Sequence, residues 1–180
     1  MNNLIRIKKI SKNFHFLFSL LIVAVPVYYV IYWSFINYFP ETLVTVNADS
    51  NPLISGPLSI RLQLTGLLIS LLPLSALVYG LINIRKLFSY YKEGVIFSFE
   101  HVNLFKRTSK ALILWVIFSI LYEAAKSILF SIGNPPGQRV VSVGFSSPEL
   151  TTLVVAGVVF VIAWVMDEGR IITEEQQLTV

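Results

Sequence analysis

Four stretches of this chain run for about 20 residues with almost no charge: Phe14 to Ile36, Leu62 to Ile84, Ala111 to Phe130 and Leu150 to Met166. A helix of that length rises roughly 30 Å, the thickness of a bilayer's hydrocarbon layer. Nothing constrains the fold more. A soluble domain of 180 residues has one core, and one core cannot take in a chain that is 55% hydrophobic and 13% charged. The bilayer solvates such residues directly. The expected fold class is therefore all-α integral membrane, a four-transmembrane-helix bundle forming a single membrane domain over residues 1–180, with the lipid bilayer as its first partner.

A basic start before an apolar run also describes a secretory signal peptide, and Arg6, Lys8, Lys9 and Lys12 precede span one. The run is too long for that role, and no small-x-small cleavage pattern follows it. Tyr28, Tyr29, Tyr32, Trp33 and Tyr38 crowd its far end, as an interfacial aromatic belt does. Pro26 inside it predicts a kink rather than a break.

Spans at about 14–36, 62–84, 111–130 and 150–166 leave a central loop at 85–110, outer loops at 37–61 and 131–149, and a tail at 167–180. The N-terminal segment carries four basic residues. The central loop carries six, namely Arg85, Lys86, Lys92, Lys106, Arg107 and Lys110, and the tail has Arg170. Against these eleven, the outer loops hold two, Arg61 and Arg139. The positive-inside rule then puts both termini and the central loop in the cytoplasm, with multi-pass insertion in a bacterial inner membrane. The formal charge of +4 fits retention against an anionic leaflet, so no direct nucleic-acid binding is expected.

Each outer loop contains β-branched text, Leu43-Val44-Thr45-Val46 and Arg139-Val140-Val141-Ser142-Val143, between turn signals such as Asn51-Pro52 and Pro135-Pro136-Gly137. One segment per loop predicts short extracellular β segments paired as a small lid.

The central loop reads as a cytoplasmic helical hairpin. Leu87, Phe88 and Tyr91 extend span two with an apolar face, Gly94 caps it, and Val95-Ile96-Phe97 links to Ser98, a cap for the next helix. Glu100 suits the positive end of that helix, which runs through Lys106 and Arg107 into span three. Phe97, Phe99 and Phe105 are expected to pack into the elbow or to lie at the interface. So much local definition in a connector marks Tyr91, Gly94, Phe97, Ser98, Glu100 and Arg107 as candidate partner-docking residues.

These residues, with Leu87-Phe88, Ile96, Val102 and Lys106 and with the tail Glu168-Gly169-Arg170 and Glu174-Glu175-Gln176-Gln177-Leu178-Thr179-Val180, resemble the small bacterial four-span membrane proteins of domain of unknown function 2975. The resemblance covers the whole chain. His101 stands where that pattern more often has asparagine, and Thr108-Ser109 where it tends to have an apolar residue and glycine. The resemblance implies four membrane helices, no assigned activity, and a short helix-turn-helix transcription factor as frequent genomic neighbour and possible partner.

The tail is acidic, with Asp167, Glu168, Glu174 and Glu175 against Arg170, whereas the central loop is basic. Docking of one on the other is an expectation, an ordinary solvated helix end the alternative. Inside span three, Glu123 and Lys126 lie three apart and share a stripe with Trp115, Ser119, Tyr122 and Ser127, which makes them a candidate intramembrane polar site. Lys126 can snorkel to the outer surface. The pair reads as a neutralised packing contact, as part of an ion or proton path, or as a site opening outward. Gly66, Ser70, Pro73 and Gly80 form one small-residue face in span two, and Thr152, Ala156 and Ala163 form another in span four.

With no cysteine, disulfide and thiolate chemistry is excluded. His15 and His101 are too poorly matched in depth for a haem pair, and neither P-loop, nucleophile elbow nor HExxH occurs. No catalytic residue, metal or cofactor is therefore expected, and the function is read as non-enzymatic. The first reading is a membrane regulator, sensor or immunity-type protein docking a cytoplasmic partner. The alternative is a small transporter or channel component using the Glu123 stripe. Oligomeric state cannot be read from the residues.

Overall fold

The computed structural model describes residues 2–39, 57–95 and 98–178. Among them are four long α-helices, α1 (Asn2–Ser34), α2 (Ile60–Glu93), α3 (Phe99–Ser131) and α4 (Ser147–Leu178), and one 3-10 turn at Ile36–Tyr38. All four are long and apolar enough to cross a membrane, and the chain is a multi-pass membrane protein. Pro26 and Pro73 lie within unbroken helices.

The extensive pairings are α1 with α2, α2 with α3 and α3 with α4, so each helix packs on its neighbour in the chain. Apolar contact between helices gains little in lipid, where tails already solvate leucine; close backbone approach and interhelical hydrogen bonds bind them instead. The two small-residue faces serve that purpose. Gly66, Ser70, Pro73 and Gly80 are all buried, and a Cβ on Gly80 would lie 3.3 Å from that of Ala111. On α4, Ala156 and Ala163 are fully enclosed, and Ser109 of α3 donates to the Ala156 carbonyl at 2.9 Å. The remaining faces of α1 and α4 expose valine, leucine, phenylalanine and Trp164, as lipid-facing surfaces do.

Two sequence expectations are corrected at the end of the molecule where α1 and α3 finish. No strand forms among the described residues. Leu43 to Val46 lies outside them, and Arg139 to Val143 gives its backbone groups to hydroxyls of α3. Val140 N–H donates to Ser131 Oγ at 3.1 Å, and Ser142 N–H donates to Ser127 Oγ at 2.9 Å. Those two serines provide what a strand partner would. Between the described ends of α1 and α2 a side chain plays the same part, Asn37 accepting from Leu58 N–H at 2.8 Å and donating to its carbonyl at 3.0 Å.

The aromatic belt is also not simply interfacial. Tyr28 and Tyr38 are exposed, but Trp33 is 1% exposed and packs with Ile36, Leu58, Tyr122, Leu129 and Phe130 as a core. Gly66 makes this possible: a Cβ there would lie 2.1 Å from the Trp33 ring.

Candidate functional site

The helices are longer than the apolar runs within them, and the excess falls at one end. Residues 2–13 of α1, 85–93 of α2, 99–110 of α3 and 167–178 of α4 lie outside those runs. At 1.5 Å per residue they extend about 14 to 18 Å past the hydrocarbon layer. This is the hairpin end, where α1 begins and α4 ends.

The hairpin turns at Gly94, whose φ of 91° is left-handed backbone that glycine adopts without steric cost; its N–H bonds back to the Tyr90 and Tyr91 carbonyls. Ser98 occupies the cap position of α3, as expected, but its hydroxyl makes no capping bond. Instead Ser98 Oγ lies 2.6 Å from His101 Nδ1, and the fully buried imidazole ring sits 4.9 Å from that of Tyr91 and 5.4 Å from that of Tyr90. His101 thus pins α3 against α2 at the elbow. Burial lowers its pKa from the ordinary 6.5, with the Val95 backbone acting in the opposite sense. The sequence signal for this role was a histidine three residues after a capping serine.

Two neighbours fix the hairpin from either side. On one, Phe88 stacks on Phe14 and Phe18 of α1 at 5.0 and 5.5 Å, and Lys8 runs so close to Gly94 that a Cβ there would meet its Cε at 2.6 Å. On the other, Asp167 of α4 accepts from Lys106 at 2.9 Å and from Arg170 at 3.3 Å, while the Arg170 guanidinium lies 5.4 Å from the Phe99 ring centroid. The acidic segment after span four therefore meets the basic hairpin at these residues. The side chains of Glu174 and Glu175 lie outside the described set.

Of the six candidate docking residues, Tyr91, Gly94 and Ser98 are consumed by this internal packing and Phe97 lies outside the described residues. Glu100 and Arg107 remain exposed. They line a cleft of about 350 Å³ between α2 and α3 together with Lys86, Ser89, Tyr90, Glu93 and Leu104. Lys86 and Glu93 join them there although no local pattern marks either residue. Arg6, Lys9, Lys12, Lys92 and Lys110 are exposed around the same end.

The second candidate site lies toward the opposite end. Lys126 Nζ donates to Glu123 Oε1 at 2.6 Å and stands 5.4 Å from the Tyr122 ring centroid. Lys126 does not snorkel outward as expected, for its side chain is 9% exposed against 23% for Glu123. Ser127 and Tyr122 are buried beside it, and Tyr122 accepts from Trp33 Nε1 at 3.2 Å. The stripe faces protein along this stretch, with the two charges paired within it. Among the described residues no group of three His, Asp or Glu side chains is placed to hold a metal ion.

A family model described as protein of unknown function (DUF2975) matches residues 14–180. No curated protein and no solved structure matches the chain.

Proposed function

Because the chain belongs to the family of unknown function 2975, which offers no activity to inherit, we propose from its architecture that it is a non-enzymatic membrane regulator, sensor or immunity-type protein whose hairpin end holds a soluble partner. The observation that carries this reading is the extension of all four helices past the apolar layer at one end, joined there by Lys8 against Gly94, His101 between the tyrosines and Asp167 on Lys106. A connector between two spans needs neither that reach nor that bracing, whereas a platform for a partner needs both. Eleven basic residues at this end against two on the outer loops support a cytoplasmic orientation in a bacterial inner membrane.

The exposed basic residues of α1 and the hairpin suit an acidic partner segment, and the family resemblance suggests a small helix-turn-helix regulator. The chain would hold that regulator rather than touch nucleic acid itself. A transport role draws no comparable support, since Glu123 and Lys126 neutralise each other.

The test is co-purification of a small helix-turn-helix regulator, of the kind the family resemblance implies, with wild type, with Arg6→Glu/Lys9→Glu/Lys12→Glu and with Asp167→Asn. Recovery with wild type and loss with the triple variant is expected. Equal recovery from all three, or none from wild type, overturns the docking reading.

A further inference from the structure

The cleft between α2 and α3 has an order to its charges. Lys86 and Glu93 are seven residues apart on α2, and Glu100 and Arg107 are seven apart on α3. Seven residues are close to two helical turns, so each pair shares a face about 10 Å apart along the axis. The helices run antiparallel about the elbow, with Glu93 the last residue of α2 and Glu100 the second of α3. The two cations therefore sit at one level and the two carboxylates at another, further from the membrane. Lys86 is two residues past the apolar run of α2 and Arg107 four before that of α3. Their backbones are thus about 3 to 6 Å beyond the hydrocarbon layer, within the headgroup zone.

None of the four has an ion-pair partner among the described residues, although Lys106 next to Arg107 is engaged by Asp167. Placing two cations side by side and two carboxylates side by side is unfavourable without countercharges. A purely anionic ligand would relieve the first pair and aggravate the second. A zwitterion with its negative group toward the membrane relieves both. Ser89 and Tyr90 line the cleft and bring hydroxyl donors, Leu104 is 3% exposed beneath, and about 350 Å³ is the size of a small headgroup rather than of a whole lipid.

The surface continuing into the bilayer separates a lipid from a soluble ligand. Further seven-residue steps along the same faces reach Tyr79 and Leu72 on α2 and Leu114 and Leu121 on α3, all of them exposed apolar side chains. An acyl chain has a continuous track directly beneath the cleft. We propose that this cleft binds the headgroup of an amine-bearing phospholipid, with its phosphate at Lys86 and Arg107 and its ammonium toward Glu93 and Glu100. The shared chemistry, a phosphodiester joined to a primary amine, could also arrive as water-soluble glycerophosphoethanolamine. The proposal goes beyond partner docking and does not depend on it.

The experiment titrates the full chain, purified in a neutral detergent, with dioctanoyl phosphatidylethanolamine, dioctanoyl phosphatidylglycerol, glycerophosphoethanolamine and inorganic phosphate, reading binding by thermal shift and thermophoresis. Wild type is expected to bind the ethanolamine lipid saturably and at least tenfold more tightly than the other three. Lys86→Gln/Arg107→Gln should weaken both lipids at least tenfold, whereas Glu93→Gln/Glu100→Gln should bring their affinities to within about twofold of each other. Equal affinity of wild type for the two lipids overturns the amine assignment, and glycerophosphoethanolamine binding as tightly as the lipid overturns the membrane source. The wild-type comparison decides even if a variant misfolds. No partner protein is present, so failure here leaves the docking reading to its own test.

Discussion

A histidine with no exposed surface, held between two tyrosine rings, prefers to be neutral. The folded pKa of His101 lies below the 6.5 of an exposed imidazole, so the unfolded chain binds the proton more readily. Stability from this residue is fully present above that ordinary value and is lost as the pH falls below it toward the folded pKa. Thermal melting in detergent should drop between pH 7.5 and 5.5 for wild type, and the polar, non-titrating His101→Asn should flatten that dependence. An unchanged slope in the variant would remove His101 as its source. Gly66 is decided by volume instead of charge. Gly66→Ala places a methyl 2.1 Å from the Trp33 ring and should cost about 1 to 3 kcal/mol in a denaturant titration, with the addition of Trp33→Leu recovering most of it.

At the level of elements, the outer segment 139–143 depends on two helix hydroxyls rather than on a ladder. Ser127→Ala and Ser131→Ala should each cost about 0.5 to 1.5 kcal/mol and speed proteolysis between residues 132 and 146, while the equally helical Ser119→Ala should do neither. The four helices were legible because each carries a span-length apolar run, and so were the close-packing faces, because glycine, serine and alanine recur there at helical spacing. The Gly94 turn was legible from local chemistry alone. The tethering of 139–143 was not, since β-branched residues such as Val140 and Val141 signal extended backbone without saying what pairs with it, and its partners lie 9 to 15 residues away on α3. Trp33 likewise reads as interfacial because the space it fills is made by Gly66, Tyr122 and Phe130 on other helices. The cleft is illegible for the same reason: Lys86 and Glu93 line one space with Glu100 and Arg107 only once the hairpin closes.

Across the whole molecule, the array of α1 to α4 presents two unlike ends. One is a braced, charged extension where α1 begins and α4 ends, and the other is an aromatic core stitched to adjoining loop residues by serine and asparagine side chains. Everything proposed for the hairpin end as a cytoplasmic docking platform requires that it project into the cytoplasm as one unit. The chain has no cysteine, so a single introduced cysteine reports its own location without background. Lys9→Cys, Lys92→Cys and Glu168→Cys place one at the exposed hairpin end on α1, α2 and α4, and Gly137→Cys places one in the outer segment. Treated with a membrane-impermeant maleimide, Gly137→Cys should label in intact cells and the other three only after permeabilisation. Labelling of any of those three in intact cells, or protection of Gly137→Cys there, would contradict the orientation on which the account rests.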